Sequence, residues 1–219
     1  SGHNRPGAPD SKVDQLASFS YSGETGPEHW GALAAEFEKC GSGTVQSPIN
    51  IKSVNVAPIV FDYQQVPLTV VNNGHTIQVN YPTGSTIKIG AQEFELLQFH
   101  FHTPSENRLA GKAFEMEMHL VHKDAQDQLS VVGVFFEKGA ENSALKLILD
   151  HLPKVENKPE TFANTQISAA GLLPVNQAYS GFEGSLTTPP CSESVEWRVM
   201  RTPLQLSEAQ LATFRALFH

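Results

Sequence analysis

Three histidines are spaced for metal coordination: His100 and His102 within Gln98-Phe99-His100-Phe101-His102, and His119 within Glu117-Met118-His119-Leu120. Alternate residues of a β-strand point to one face, about 7 Å apart. A residue directly opposite on an antiparallel neighbour lies about 5 Å away. Zinc takes imidazole nitrogen at about 2.0–2.1 Å, so three such rings can meet at one ion and leave a fourth position open for chemistry. Three neutral imidazoles suit zinc, copper, nickel or iron. No carboxylate is placed as third ligand, which argues against a two-histidine, one-carboxylate iron site, and zinc is the ion expected.

Metal-bound imidazoles usually donate their second N–H to an acceptor that fixes the tautomer. Gln98 stands two residues before His100, and Glu117 two before His119, each on the face of its histidine. The other histidines, His3, His29, His122, His151 and His219, read as ordinary surface or core residues. His122 has the opposite parity to His119.

The elements that must carry these side chains read as strands. Turn signals at Gly41-Ser42-Gly43, Asn72-Asn73-Gly74, Tyr81-Pro82-Thr83-Gly84 and Lys138-Gly139 separate short runs rich in Val, Ile, Thr and Phe. Such runs include Leu68–Val71, Thr76–Asn80, Thr86–Ile89 and Leu129–Phe136, the pattern of an antiparallel β protein. From Leu96 to His102, Leu97, Phe99 and Phe101 are expected on one face and Gln98, His100 and His102 on the other. Over 114–122, Met116, Met118 and Leu120 oppose Glu115, Glu117, His119 and Val121. One apolar face over a core and one face lined with imidazole, amide and carboxylate indicate a functional cavity, because buried polar groups are costly unless satisfied. Helices are expected at Asn142–Leu152, ended by Pro153, and at Ser207–Phe218, opened by the capping box Ser207-x-x-Gln210. A weaker one is expected at Trp30–Phe37. The fold class is therefore α+β, mainly β: a single domain with a large, mostly antiparallel central twisted sheet and peripheral short helices. The expected division is a flexible N-terminal segment over 1–18 and one catalytic domain over 19–219.

At 219 residues the chain is long enough for one substantial core. Its formal net charge of −8 argues against a nucleic-acid partner or an anionic membrane surface. The longest strongly apolar run, Val131 to Phe136 with Gly133 inside, is too short to span a bilayer, and no signal peptide is visible. The two cysteines, Cys40 and Cys191, read either as buried free thiols or as one disulfide closing a long loop. The latter would stabilise by about 3–5 kcal/mol and implies an oxidising compartment.

Further segments make the chain resemble the α-class carbonic anhydrases, specifically the bacterial type. They are Tyr21 with Gly26-Pro27-Glu28-His29-Trp30, Gln46-Ser47-Pro48-Ile49-Asn50-Ile51, Asn72-Asn73-Gly74-His75 and the histidine segments above. Pro104-Ser105-Glu106 and Gly184-Ser185-Leu186-Thr187-Thr188-Pro189-Pro190-Cys191 complete the set. The resemblance runs in order from about residue 20 to about residue 205. It implies reversible hydration of carbon dioxide, with Zn²⁺ on His100, His102 and His119 and a hydroxide in the fourth position. Metal-acidified water is the relevant chemistry, and this family is itself its standard illustration. By the same resemblance Thr187 orients the hydroxide and is held by Glu106, His75 is the proton shuttle, and Tyr21 belongs to the solvent network. Val121, Val131, Leu186 and Trp197, with Val195 behind and Thr188 beside them, line the carbon dioxide pocket. Without the resemblance these apolar residues read as core, Thr187-Thr188-Pro189-Pro190 as a rigid turn and His75 as a loop histidine.

Esterase side activity and inhibition by sulfonamides and anions are expected with the family. Its bacterial members pair cysteines at these two places, which implies a Cys40–Cys191 disulfide and a periplasmic or secreted location. They are often dimers, although nothing in the sequence identifies an interface. The family continues past the last helix with an Asn-Arg-Pro-x-Gln segment whose backbone accepts from the second zinc histidine. The sequence stops at His219, so the expectation is a zinc affinity or activity lower by about 10–100-fold. The rival readings are a non-catalytic binding module on the same fold, which typically lacks zinc histidines, and an unrelated three-histidine zinc hydrolase.

Overall fold

The computed structural model describes residues 50–51, 58–184 and 195–218. The expected helix at Trp30–Phe37, the N-terminal segment, both cysteines, Tyr21, Leu186, Thr187 and Thr188 lie outside the described residues. In chain order the strands are β1 (Asn50–Ile51), β2 (Val60–Asp62), β3 (Val66–Asn72), β4 (Ile77–Asn80), β5 (Thr86–Ile89), β6 (Gln92–His102), β7 (Arg108–Leu109), β8 (Lys112–Ala113), β9 (Met116–Lys123) and β10 (Leu129–Lys138). Helix α1 (Ser143–Leu149), β11 (Glu160–Ile167), a 3₁₀ turn (Ala169–Leu172), β12 (Tyr179–Gly184), β13 (Val195–Met200), β14 (Leu204–Leu206) and helix α2 (Glu208–Leu217) follow.

Eleven of these strands form one sheet, with the main order β11-β3-β4-β6-β9-β10-β13-β12. The pairings are mostly antiparallel, but β10 pairs in parallel with both β13 and β14. Strand β6 is the axis. Its first half pairs with β5, its second half with β4, and its other edge with β9.

One expectation about β6 needs correction. The register with β9 slips between Leu96 and Gln98, leaving Leu97 as a bulge residue. Phe94 and Leu96 face the main core before the bulge, and Phe99 and Phe101 face it afterwards. Leu97 is only partly buried. The extra residue reverses parity, as a bulge does.

The main core lies on the face of Phe99, Phe101, Met116, Met118 and Leu120, and both helices contribute to it. Leu145 and Ile148 come from α1, Leu211 and Phe214 from α2. The Phe214 ring lies 5.0 Å from that of Phe101, directly behind the histidine strand. Burying a side chain such as Phe101 contributes about 1.5–3 kcal/mol.

Helix α1 is shorter than expected. Asn142 caps it by accepting from Ala144 and Leu145, and Asp150 ends it before Pro153 is reached. Helix α2 carries the expected capping box between Ser207 and Gln210. Among the described residues no helix is long and apolar enough to cross a membrane.

Candidate metal centre and active site

Strand register brings the histidines together. His100 on β6 stands opposite His119 on β9, and His119 stands opposite Gly133 on β10. Two residues along, His102 faces Glu117, which faces Phe135. In the other direction Gln98 faces Val121, Val121 faces Val131, Val131 faces Trp197, and Trp197 faces Phe182. Neighbours in register share a face, so three adjacent rows build one surface: a carboxylate row, an imidazole row and an apolar row.

The candidate ligand atoms of His100, His102 and His119 all lie within 4.8 Å of one another. Three tetrahedral nitrogens around zinc stand about 3.3 Å apart, so small ring rotations complete the set. The donor chemistry fits a metal. Nδ1–H of His100 donates to Oε1 of Gln98 at 2.8 Å, which leaves Nε2 as the ligand atom. Nε2 of His119 lies 3.1 Å from Oε2 of Glu117, which leaves Nδ1. Burial, reinforced by the charge of His119, pushes His100 down to about 3 and His102 well below the usual histidine range. Both rings are therefore neutral and able to ligate.

Glu117 is completely buried. Its Oε1 accepts from the backbone N–H of Glu106 at 2.9 Å and of Asn107 at 2.8 Å, and its Oε2 accepts from Nδ2 of Asn107 at 2.7 Å. Burial alone would raise its pKa, but the charge of His119 and these hydrogen bonds outweigh it and hold the carboxyl below the usual range. Burial likewise works against a charged His119, and Glu117, followed by Glu106, overcomes it and raises that ring's pKa. Sequence reading missed Asn107, whose role depends on a return of the chain over the β7–β8 hairpin. It missed Gly133 as well, although a glycine inside a strand is a recognisable sign of close backbone approach.

Oε1 of Glu106 lies 3.5 Å from Nε2 of His102 and 3.9 Å from Nδ1 of His119, so its carboxylate stands where the rings converge. Val121, Val131, Val195 and Trp197 belong to one buried apolar cluster, together with Leu129 and Val199. The Trp197 ring meets His119 edge-on at 4.9 Å. The site face is thus polar only around the histidines and apolar beyond them, which narrows the expectation of a wholly polar-lined face.

His75 is half-buried at the end of the β3–β4 turn. The next residue, Thr76, donates from Oγ1 to the Phe101 carbonyl at 2.7 Å and accepts from the Phe101 N–H at 3.1 Å. The turn is thereby fastened to the ligand strand between His100 and His102. His122 lies apart from the metal cluster, fully buried, with Nδ1–H donating to the Ser130 carbonyl at 3.1 Å and Nε2 accepting from Tyr63 at 2.7 Å.

Residues 25–219 match the family model described as eukaryotic-type carbonic anhydrase. The chain belongs to this carbonic anhydrase family. It is 47% identical over 206 residues to a carbonic anhydrase of Klebsiella pneumoniae, covering 92% of this chain and 83% of that one. A hyperthermostable carbonic anhydrase from an active hydrothermal vent chimney superposes with a TM-score of 0.87 at 42% identity, over 91% of this chain and 90% of that one. The α-carbonic anhydrase of Thermovibrio ammonificans, solved with the inhibitor sulfanilamide, superposes with a TM-score of 0.86 at 41% identity, over 92% and 91%. The carbonic anhydrase family is zinc-dependent, and His100, His102 and His119 are the residues able to hold the ion.

Proposed function

We propose that this protein is a zinc carbonic anhydrase that interconverts carbon dioxide and bicarbonate. The carrying observation is the convergence of three imidazoles, His102 and His119 buried and His100 partly so, two of them with a ligand nitrogen fixed by Gln98 and Glu117, in a chain of this family.

Zinc, when bound, supplies a Lewis acid that makes water acidic enough to deliver hydroxide near neutral pH. The chain's own residues do the rest. Gln98 and Glu117 hold His100 and His119 in their ligating tautomers. Val121, Val131, Val195 and Trp197 offer carbon dioxide an apolar wall, and the resemblance assigns Leu186 and Thr188 to the same pocket. Glu106 acts through Thr187 to orient the attacking oxygen. His75 takes the released proton and hands it to solvent, with Tyr21 in the connecting water network, because a histidine titrates in the working range.

The complete ligand set stands against a non-catalytic binding module. The Thermovibrio relative binds sulfanilamide, and sulfonamides are expected to bind this protein at the same imidazole cluster. A Cys40–Cys191 disulfide and a periplasmic or secreted location belong to the same reading. Mass measurement with and without reductant tests the pairing.

The deciding experiment is stopped-flow carbon dioxide hydration with zinc assayed on the same sample. Fast hydration at about one zinc per chain is expected. Zinc-loaded protein without hydration would overturn the catalytic reading, and ester hydrolysis alone would point to a zinc hydrolase.

A further inference from the structure

We propose that Glu156 is a positioning residue for the proton relay, holding its carboxylate over the turn that carries His75 and favouring the protonated imidazole; this rests on the reading of His75 as the relay.

The turn is built to a fixed shape. Asn72 Oδ1 accepts from the Gly74 N–H at 2.9 Å, and Asn73 Oδ1 accepts from the N–H groups of His75 at 3.0 Å and Thr76 at 2.9 Å. Gly74 sits at φ +87°, where side chains are disfavoured. The segment after α1 closes onto this turn, with the N–H of Asn157 donating to the Asn72 carbonyl at 2.7 Å. Glu156, one residue earlier, lays its carboxylate against Gly74. A β-carbon at residue 74 would stand 2.5 Å from Oε1 of Glu156 and 3.6 Å from its Cδ. The carboxylate thus fills the space that a side chain at residue 74 would need, next to His75.

A relay must take up and release a proton near the working pH. His75 is half-buried, and burial pushes its pKa down, while the charge of Glu156 pushes it back up. Lys154 and Lys158 lie on the same segment and are exposed, but neither registers on His75. From β6, His100 and His102 stay neutral. Glu156 is itself exposed, so its influence is subject to screening by salt.

The test is an NMR titration of His75 in zinc-loaded wild type and Glu156→Gln, with the resonance assigned by its loss in His75→Ala. At low salt Glu156→Gln is expected to lower the His75 pKa by about 0.5, and the difference should shrink at 0.5 M salt. Turnover in weak buffer should fall about two- to threefold near neutral pH, while kcat/KM for carbon dioxide stays within about twofold. Glu156→Asp should recover part of the pKa. An unchanged His75 pKa in Glu156→Gln overturns the proposal. If His75→Ala leaves weak-buffer turnover intact, the relay reading fails and the proposal fails with it. Intact hydration in that variant would leave the carbonic anhydrase reading standing.

Discussion

Gly133 leaves room for Glu117: a β-carbon at residue 133 would stand 2.9 Å from Oε2 of Glu117 and 3.3 Å from Cγ2 of Val199. Gly133 is also the register partner of His119, so the strand behind the ligand and the carboxylate beside it meet at one point. Gly133→Ala is expected to push the Glu117 carboxylate away from the His119 N–H. Zinc affinity should fall by about tenfold or more, and stability by about 1–3 kcal/mol from overpacking. Chelator competition and a thermal melt check both. Unaltered zinc affinity in a folded variant would count against the close approach.

Glu117→Ala removes the acceptor for two backbone N–H groups, the Asn107 amide and His119 at once. Each orphaned buried donor costs about 1–3 kcal/mol. Loss of the imidazole partner weakens zinc binding by about 10–100-fold. Urea denaturation of the zinc-loaded and zinc-free forms separates the two effects. The variant should lose stability even without metal, since the Asn107 contacts do not depend on it.

His122 links stability to pH. It is buried against Tyr63, the Ser130 and Leu120 carbonyls and the charge of Arg198, and burial is the main cause that pushes its pKa down to about 3. The unfolded chain has an ordinary histidine pKa near about 6.5. Below that value the unfolded state binds the proton and the folded state does not. The stability His122 contributes is therefore complete above about 6.5 and is lost progressively as pH falls toward 3, at up to about 1.4 kcal/mol per pH unit. His122→Gln can keep one donor and one acceptor without titrating. Denaturation of the zinc-loaded forms at pH 7.5, 6 and 5 should show a flatter acid slope for the variant, and parallel slopes would refute the assignment.

Gln210 serves both helices. Its Oε1 accepts from the N–H groups of Ser207 and Asn142, each at 3.0 Å, and its Nε2 donates to the Asn142 carbonyl at 2.8 Å. Gln210→Ala thus undoes the α2 capping box and loosens the α1 cap in one change. The expected loss is about 1–3 kcal/mol, larger than the roughly 1 kcal/mol of a single cap. Carbon dioxide hydration at 25 °C should be unaffected, because neither helix terminus touches the histidine rows. A cost no larger than that of Ser207→Ala would show that the Asn142 contacts add nothing.

The metal cluster is legible in the sequence because strand periodicity is local. A two-residue spacing in 98–102 and again in 117–121 specifies which side chains share a face, and antiparallel pairing does the rest. The capping box at Ser207 and the cap at Asn142 are local for the same reason. What escapes is set by contacts distant along the chain. Leu96-Leu97 carries no residue-type mark of a bulge, since both residues are apolar and either would suit the core. The parallel pairing of β10 with β13 joins segments about sixty residues apart. Asn107 reaches Glu117 only because the intervening hairpin folds back, and Glu156 reaches Gly74 only because the post-helix segment does.

The bulge at Leu97 makes β6 behave like a message read in two frames. Counted from its beginning, even-numbered residues belong to the core; counted from its end, odd-numbered ones do. A one-codon deletion at residue 97 would merge the two frames, leaving Phe94, Leu96, Phe99 and Phe101 together on the core side and Gln98, His100 and His102 together on the other. Were the strand instead to straighten at its present length with its first half in place, His100 and His102 would turn into the hydrocarbon interior and the metal site would vanish with every ligand still encoded. The extra residue at 97 is therefore harmless only so long as it is held out of the alternation.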